Sequence, residues 1–134
     1  MSQRGFKRYK IEIKIGLEFV KWNETELKMG GNPQFTRSLD ISQSGIGLEN
    51  IQGMNKKLLK QLLLGKKKIR LGLYINGEAP PTTTFARLIW SNPTYKEEDF
   101  RNRRYGCMFL DISLLTFNKL KDLLDSYTKS DTIL

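Results

Sequence analysis

Asp40, Ser42 and Gly45 form an Asp-x-Ser-x-x-Gly run, and Arg4 and Arg8 stand four apart near the start of the chain. These residue types can do specific chemistry. A planar guanidinium holds a phosphate through two parallel hydrogen bonds, grips the O6/N7 edge of guanine or stacks on a base. A carboxylate accepts from the N–H groups on guanine's pairing edge, and a hydroxyl beside it donates or accepts. Guanine has adjacent donors on one edge and adjacent acceptors on the other, so the set suits a guanine nucleotide. Each half is ordinary alone. Two arginines at this spacing also describe a solvated basic arm, and Asp-x-Ser-x-x-Gly also describes a turn with a glycine at positive φ. Asp111-Ile112-Ser113 repeats the start of the run, but residue 116 is Thr, and Asp or Ser there is expected to cap a helix.

The 134 residues suggest one domain, with 23 Lys and Arg against 14 Asp and Glu, a net charge of +9. That balance fits an anionic partner: nucleic acid, a phosphorylated small molecule or an acidic membrane. There is no histidine and one cysteine, Cys107. A Ser-His-Asp or Cys-His pair is therefore impossible, as is a histidine or multi-cysteine zinc site. No phosphate-cradling glycine loop is present, and no carboxylate pair stands out as an acid/base couple. A binding module without cofactor or metal is favoured over an enzyme. The start lacks the apolar run of a signal peptide and no stretch is apolar enough to span a membrane, so a cytoplasmic setting is expected.

The elements that must position these residues follow from periodicity. Tyr9 to Phe19 alternates Tyr, Ile, Ile, Ile, Leu, Phe with polar residues or glycine, as in a long half-buried strand. A short strand is expected at Leu27 to Met29, then strands at Phe35 to Ser42 and Ile46 to Ile51. In the first of these, alternation would project Asp40 and Ser42 together, opposite Leu39 and Ile41. Met54 to Leu64 has helical spacing, with Gly65 as its stop. Strands follow at Lys68 to Asn76, Thr83 to Trp90 and Arg104 to Leu110, with Ser91 to Arg103 a loop. Ala86, Leu88 and Trp90 share one face by alternation. Leu114, Phe117, Leu120, Leu124 and Tyr127, widened by Leu123, form a helical stripe that needs a surface to cover. Such strands with turn-rich links predict an antiparallel barrel or sandwich with a terminal helix.

The arginine pair, the Asp-x-Ser-x-x-Gly run, Ala86-Arg87-Leu88-Ile89-Trp90, Tyr105-Gly106-Cys107-Met108-Phe109 and the closing helix, in that order, resemble the PilZ domain family. The resemblance spans nearly the whole chain and is weakest around residues 50–65. It implies a six-stranded antiparallel β-barrel with a C-terminal amphipathic helix, and cyclic di-GMP as ligand. Residues 1–8 would be a flexible basic arm clamping the ligand, 9–129 the barrel domain and 130–134 a frayed tail. Arg4 and Arg8 would contact phosphate and guanine, Asp40 and Ser42 would hold a guanine, and Gly45 would permit the turn. Trp90 would lie beside a guanine, or else be a core or rim aromatic. Gln3 stands where members that bind two stacked ligands carry arginine, which leans towards one ligand. The helical segment at 54–64 reads as a core-covering insertion. Ordering of the arm would signal to an effector protein in motility, exopolysaccharide or virulence machinery. The alternatives are a nucleic-acid-binding β-barrel, using Arg101, Arg103, Arg104 and the lysines at 66–68, and a family adaptor that binds no nucleotide. No strand interleaves aromatic and basic residues, which weighs against nucleic acid.

Overall fold

The computed structural model of the protein describes residues 7–93, 100 and 102–129. Six strands close into an antiparallel barrel: β1 (Lys14–Lys21), β2 (Gln34–Ile41), β3 (Gly45–Glu49), β4 (Lys67–Leu73), β5 (Thr82–Asn92) and β6 (Arg104–Leu110), in the order β1-β2-β3-β6-β5-β4. Closure leaves no free sheet edge. A barrel this small has room inside only for side chains, and alternation supplies them. Ile15 and Leu17 of β1, Ile46 and Leu48 of β3, Ile69, Leu71 and Leu73 of β4, and Ala86 and Leu88 of β5 are all buried in one core.

Helix α1 (Lys56–Leu63) opens on Asn55, whose side chain accepts from Leu58 N at 2.8 Å. It ends at Gly65, which takes φ +75 and stops the helix as its position predicts. Leu59 and Leu62 carry it onto the core. Helix α2 (Leu114–Lys129) is capped by Ser113, whose Oγ accepts from Thr116 N at 3.1 Å. Between the two candidates in Asp111-Ile112-Ser113, the serine does the capping. Leu120, Leu123 and Leu124 are buried, but Leu114, placed in the stripe by spacing, is 75% exposed. Leu115 is exposed as well, so the covered stripe begins one turn later than expected, at Phe117 and Leu120. No described helix is long and apolar enough to cross a membrane.

Three local expectations differ. The first long strand starts at Lys14 rather than Tyr9, which makes only an isolated bridge to Ile41. Between them a buried hydroxyl replaces the ladder: Ser38 Oγ donates to Ile11 O at 2.6 Å and accepts from Ile13 N at 2.9 Å. Leu27 to Met29 is not a strand. Arg70 shapes that loop instead, donating to Glu26 O at 2.7 Å and to Glu18 Oε1 at 2.8 Å, while Glu18 accepts from Gly30 N at 2.8 Å. Last, β5 runs on to Asn92. Buried Arg103 ties its end down, donating to Ser91 Oγ at 3.1 Å and to Pro93 O, with its guanidinium 4.4 Å from the Phe100 ring centroid.

Candidate functional site

Two bulges break the alternation that the sequence displays. In β2, Ser38 pairs with Leu48 but Asp40 pairs with Gly47, so Leu39 is an extra residue. In β5, Leu88 pairs with Cys107 but Trp90 pairs with Gly106, so Ile89 is extra. An extra residue reverses which face the following side chains take. Ser38 and Leu88 are therefore buried, whereas Asp40 is half-buried and Trp90 is 47% exposed on the outer surface. Trp90 is thus not on the face of Ala86 and Leu88, as strict alternation predicts.

Gly47 also pairs with Gly106, across β3 and β6. Asp40, Gly47, Gly106 and Trp90 then form one row across four neighbouring strands. Its ends are about 14 Å apart, from three interstrand spacings. The two glycines supply a floor without side chains. A Cβ on Gly47 would lie 2.9 Å from Asp40 Oδ1, and one on Gly106 would lie 2.1 Å from Trp90 Nε1. The carboxylate therefore leans over one glycine and the indole over the other. Neither glycine is singled out as a site residue by the sequence. Only the register shows that they are partners.

Arg8 completes the arrangement. Tyr9 N donates to Ile41 O, and Ile41 N donates to Tyr9 O, both at 2.9 Å, which pins the chain alongside β2. Arg8 then reaches Asp40: its Nε donates to Oδ1 at 3.1 Å, and its Nη2 donates to the same oxygen. Arg8, Asp40, Ile89, Trp90, Gly106 and Cys107 line one cavity of about 360 Å³, within the range of small-molecule sites. A larger recess of about 670 Å³, lined by Asn50, Gln52, Met54, Phe100 and Asn102 among others, has no ionisable side chain in its wall among the described residues. Burial pushes the Cys107 thiol up to about 12, against a partial lowering by the Arg8 charge, so the thiol stays protonated and unreactive at neutral pH.

Ser42 and Gly45 do not enter this cavity's wall. Ser42 is fully buried, and its Oγ accepts from Gly45 N at 3.1 Å and Ser44 N at 3.2 Å. It faces into the β2–β3 turn and does not project beside Asp40. Gly45 lies outside the positive-φ set, so its need for glycine is steric: a Cβ would sit 2.3 Å from Cys107 O. Both residues bring β3 up against β6, which is what lays Gly47 beside Gly106. Arg4 lies outside the described residues. Among the described residues no group of three or more His, Cys, Asp or Glu could hold a metal ion.

The family model described as "PilZ domain" matches residues 2–126. No curated protein matches the chain. Two solved structures share the fold. One is the Bacillus subtilis inhibitor of motility MotI/DgrA, at TM-score 0.59 and 14% identity, covering 96% of this chain and 53% of its own. The other is the Borreliella burgdorferi PlzA protein in complex with c-di-GMP, at TM-score 0.52 and 14% identity, covering 99% of this chain and 55% of its own. The chain thus spans about half the length of each.

Proposed function

Since this chain belongs to the PilZ domain family, we propose that it binds cyclic di-GMP in the cleft of Arg8, Asp40 and Trp90 and passes the signal to a protein partner. The observation that carries the reading is the row Asp40–Gly47–Gly106–Trp90, with Arg8 on Asp40 at one end. A flat heterocycle entering between the side chains that cover the two glycines meets the Asp40 carboxylate at one side and the Trp90 indole at the other. Asp40 accepts from the donors on the guanine's pairing edge, and Trp90 stacks on the base. Arg8, displaced from Asp40 by those donors, turns its guanidinium to a phosphate. Arg4 adds a second phosphate contact from the arm of residues 1–8, and ordering of that arm creates the surface a partner reads. The Tyr9–Ile41 bridge is the hinge of that movement. Ser42 and Gly45 serve the site by building the turn. In this reading residues 9–129 are the receptor domain, 130–134 a tail, and the protein is a binding module with a nucleotide ligand.

Calorimetric titration of cyclic di-GMP into wild type, Arg8→Ala and Asp40→Ala tests the assignment. Charge-assisted hydrogen bonds contribute about 1.5–3 kcal/mol, so each variant should bind roughly 10- to 150-fold more weakly. A folded wild type that gives no heat with cyclic di-GMP would sink it.

A further inference from the structure

At the end of the barrel where β1 stops and β4 starts, Lys21 and Lys67 are direct cross-strand partners. Like charges directly opposite one another on neighbouring strands are destabilising. No carboxylate pairs with either, nor with Lys68 or Arg87, among the described residues. Two of these cations, Lys68 and Arg87, flank an aromatic ring. Lys68 Nζ lies 5.9 Å and the Arg87 guanidinium 5.8 Å from the Trp22 centroid, and Lys68 is also 3.8 Å from the Phe85 ring. Arg87 donates to Leu63 O at 3.4 Å at the end of α1, where the next side chain, Leu64, is 57% exposed.

We propose that this patch docks an acidic protein segment that carries apolar side chains among its carboxylates. The charge is concentrated, uncompensated within the chain and held at fixed spacing by the rings. That geometry fits discrete carboxylates, with Trp22 and Leu64 as apolar anchors of the kind that dominate protein interfaces. Single-stranded nucleic acid would require an open aromatic face for stacking, and the Trp22 ring already has two cations against it. A bilayer anchor would require a protruding ring, and Trp22 is only 38% exposed. The proposal stands independently of the ligand assignment, because the patch shares no residue with the cleft.

The test is fluorescence anisotropy with a labelled synthetic peptide of alternating Glu and Leu. The proteins are wild type, the double variant Lys67→Glu/Lys68→Glu, and the exposed control Lys28→Glu/Lys121→Glu, which changes net charge equally. The patch variant should lose at least about ten-fold in affinity, the size of one charge-assisted contact, and the control less than about two-fold. Its fold is checked by thermal melting, where a carboxylate opposite Lys21 should raise the midpoint. Equal losses in the two variants would reduce the effect to net charge and overturn the proposal. So would tighter binding of oligothymidylate or phosphatidylglycerol vesicles through the same two lysines.

Discussion

Gly106 has a steric duty that its small size hides. The Trp90 indole occupies the space a Cβ would take, with Nε1 2.1 Å from that point. Gly106→Ala must therefore push the indole off the floor of the cleft. Trp90 is already half in water, so the displaced ring has somewhere to go and the fold should survive. If Trp90 stacks on a guanine, losing that contact costs about 1–3 kcal/mol, or roughly 5- to 150-fold in affinity for cyclic di-GMP. Calorimetry beside a thermal melt separates the effects: weaker binding with a nearly unchanged midpoint is expected. Wild-type affinity in Gly106→Ala would remove Trp90 from the site. The residue types of this site were legible in the sequence, because a carboxylate, an arginine and a tryptophan declare their chemistry. Gly47 was not, since a glycine's role depends wholly on what lies over it.

Elements decide where those residues point. The alternation of Ser38, Asp40 and Ser42 suggests one polar face, yet they take three environments: a buried bridge to the preceding segment, the outer surface and the inside of a turn. The bulge at Leu39 accounts for the first change, and the end of β2 for the second. A bulge leaves no mark in composition, so hydrophobic periodicity located the strands while missing where Asp40 and Trp90 face. Helix α1 was legible because its spacing, its Asn55 cap and Gly65 agree. The loop shaped by Arg70 was not, because its partners are set by the fold. The turn offers its own test. Ser42→Ala leaves the N–H groups of Ser44 and Gly45 without their acceptor in a buried place. A loss of about 1–3 kcal/mol in denaturant unfolding is expected. Ligand affinity should fall less than in Asp40→Ala if Ser42 acts by holding β3 against β6.

Over the whole molecule, the strands share one interior, and its titratable members tie stability to pH. Burial pushes the Cys107 thiol from 9.0 up to about 12, against a lowering by Arg8. It likewise pushes the Tyr105 phenol from 10.0 up to about 12, against a lowering by Arg103. Both groups are neutral when protonated, and the unfolded chain releases the protons first. Stability from these groups is therefore intact below pH 9.0 and falls as pH rises toward about 12. Thermal midpoints should drop steadily through that alkaline range. Tyr105→Phe should flatten part of the drop, and because the buried hydroxyl has no hydrogen-bond partner among the described residues, it sacrifices no bond. Strand count and turn-rich links leave barrel and sandwich both open, and the family resemblance selects the barrel, whereas strand order depends on pairings between distant segments. The same architecture puts the proposed receptor and the core on opposite faces of the same strands: Gly47 and Gly106 look outward, while Leu48 and Tyr105 beside them look inward. A substitution confined to the glycine pair would yield a protein that is deaf but not damaged. If the cleft and the patch act as proposed, such a copy would keep its fold and still present Trp22, flanked by Lys68 and Arg87, to whatever docks there. It would act as a competitor of the responsive form, and its effect in a mixed population would grow with its abundance.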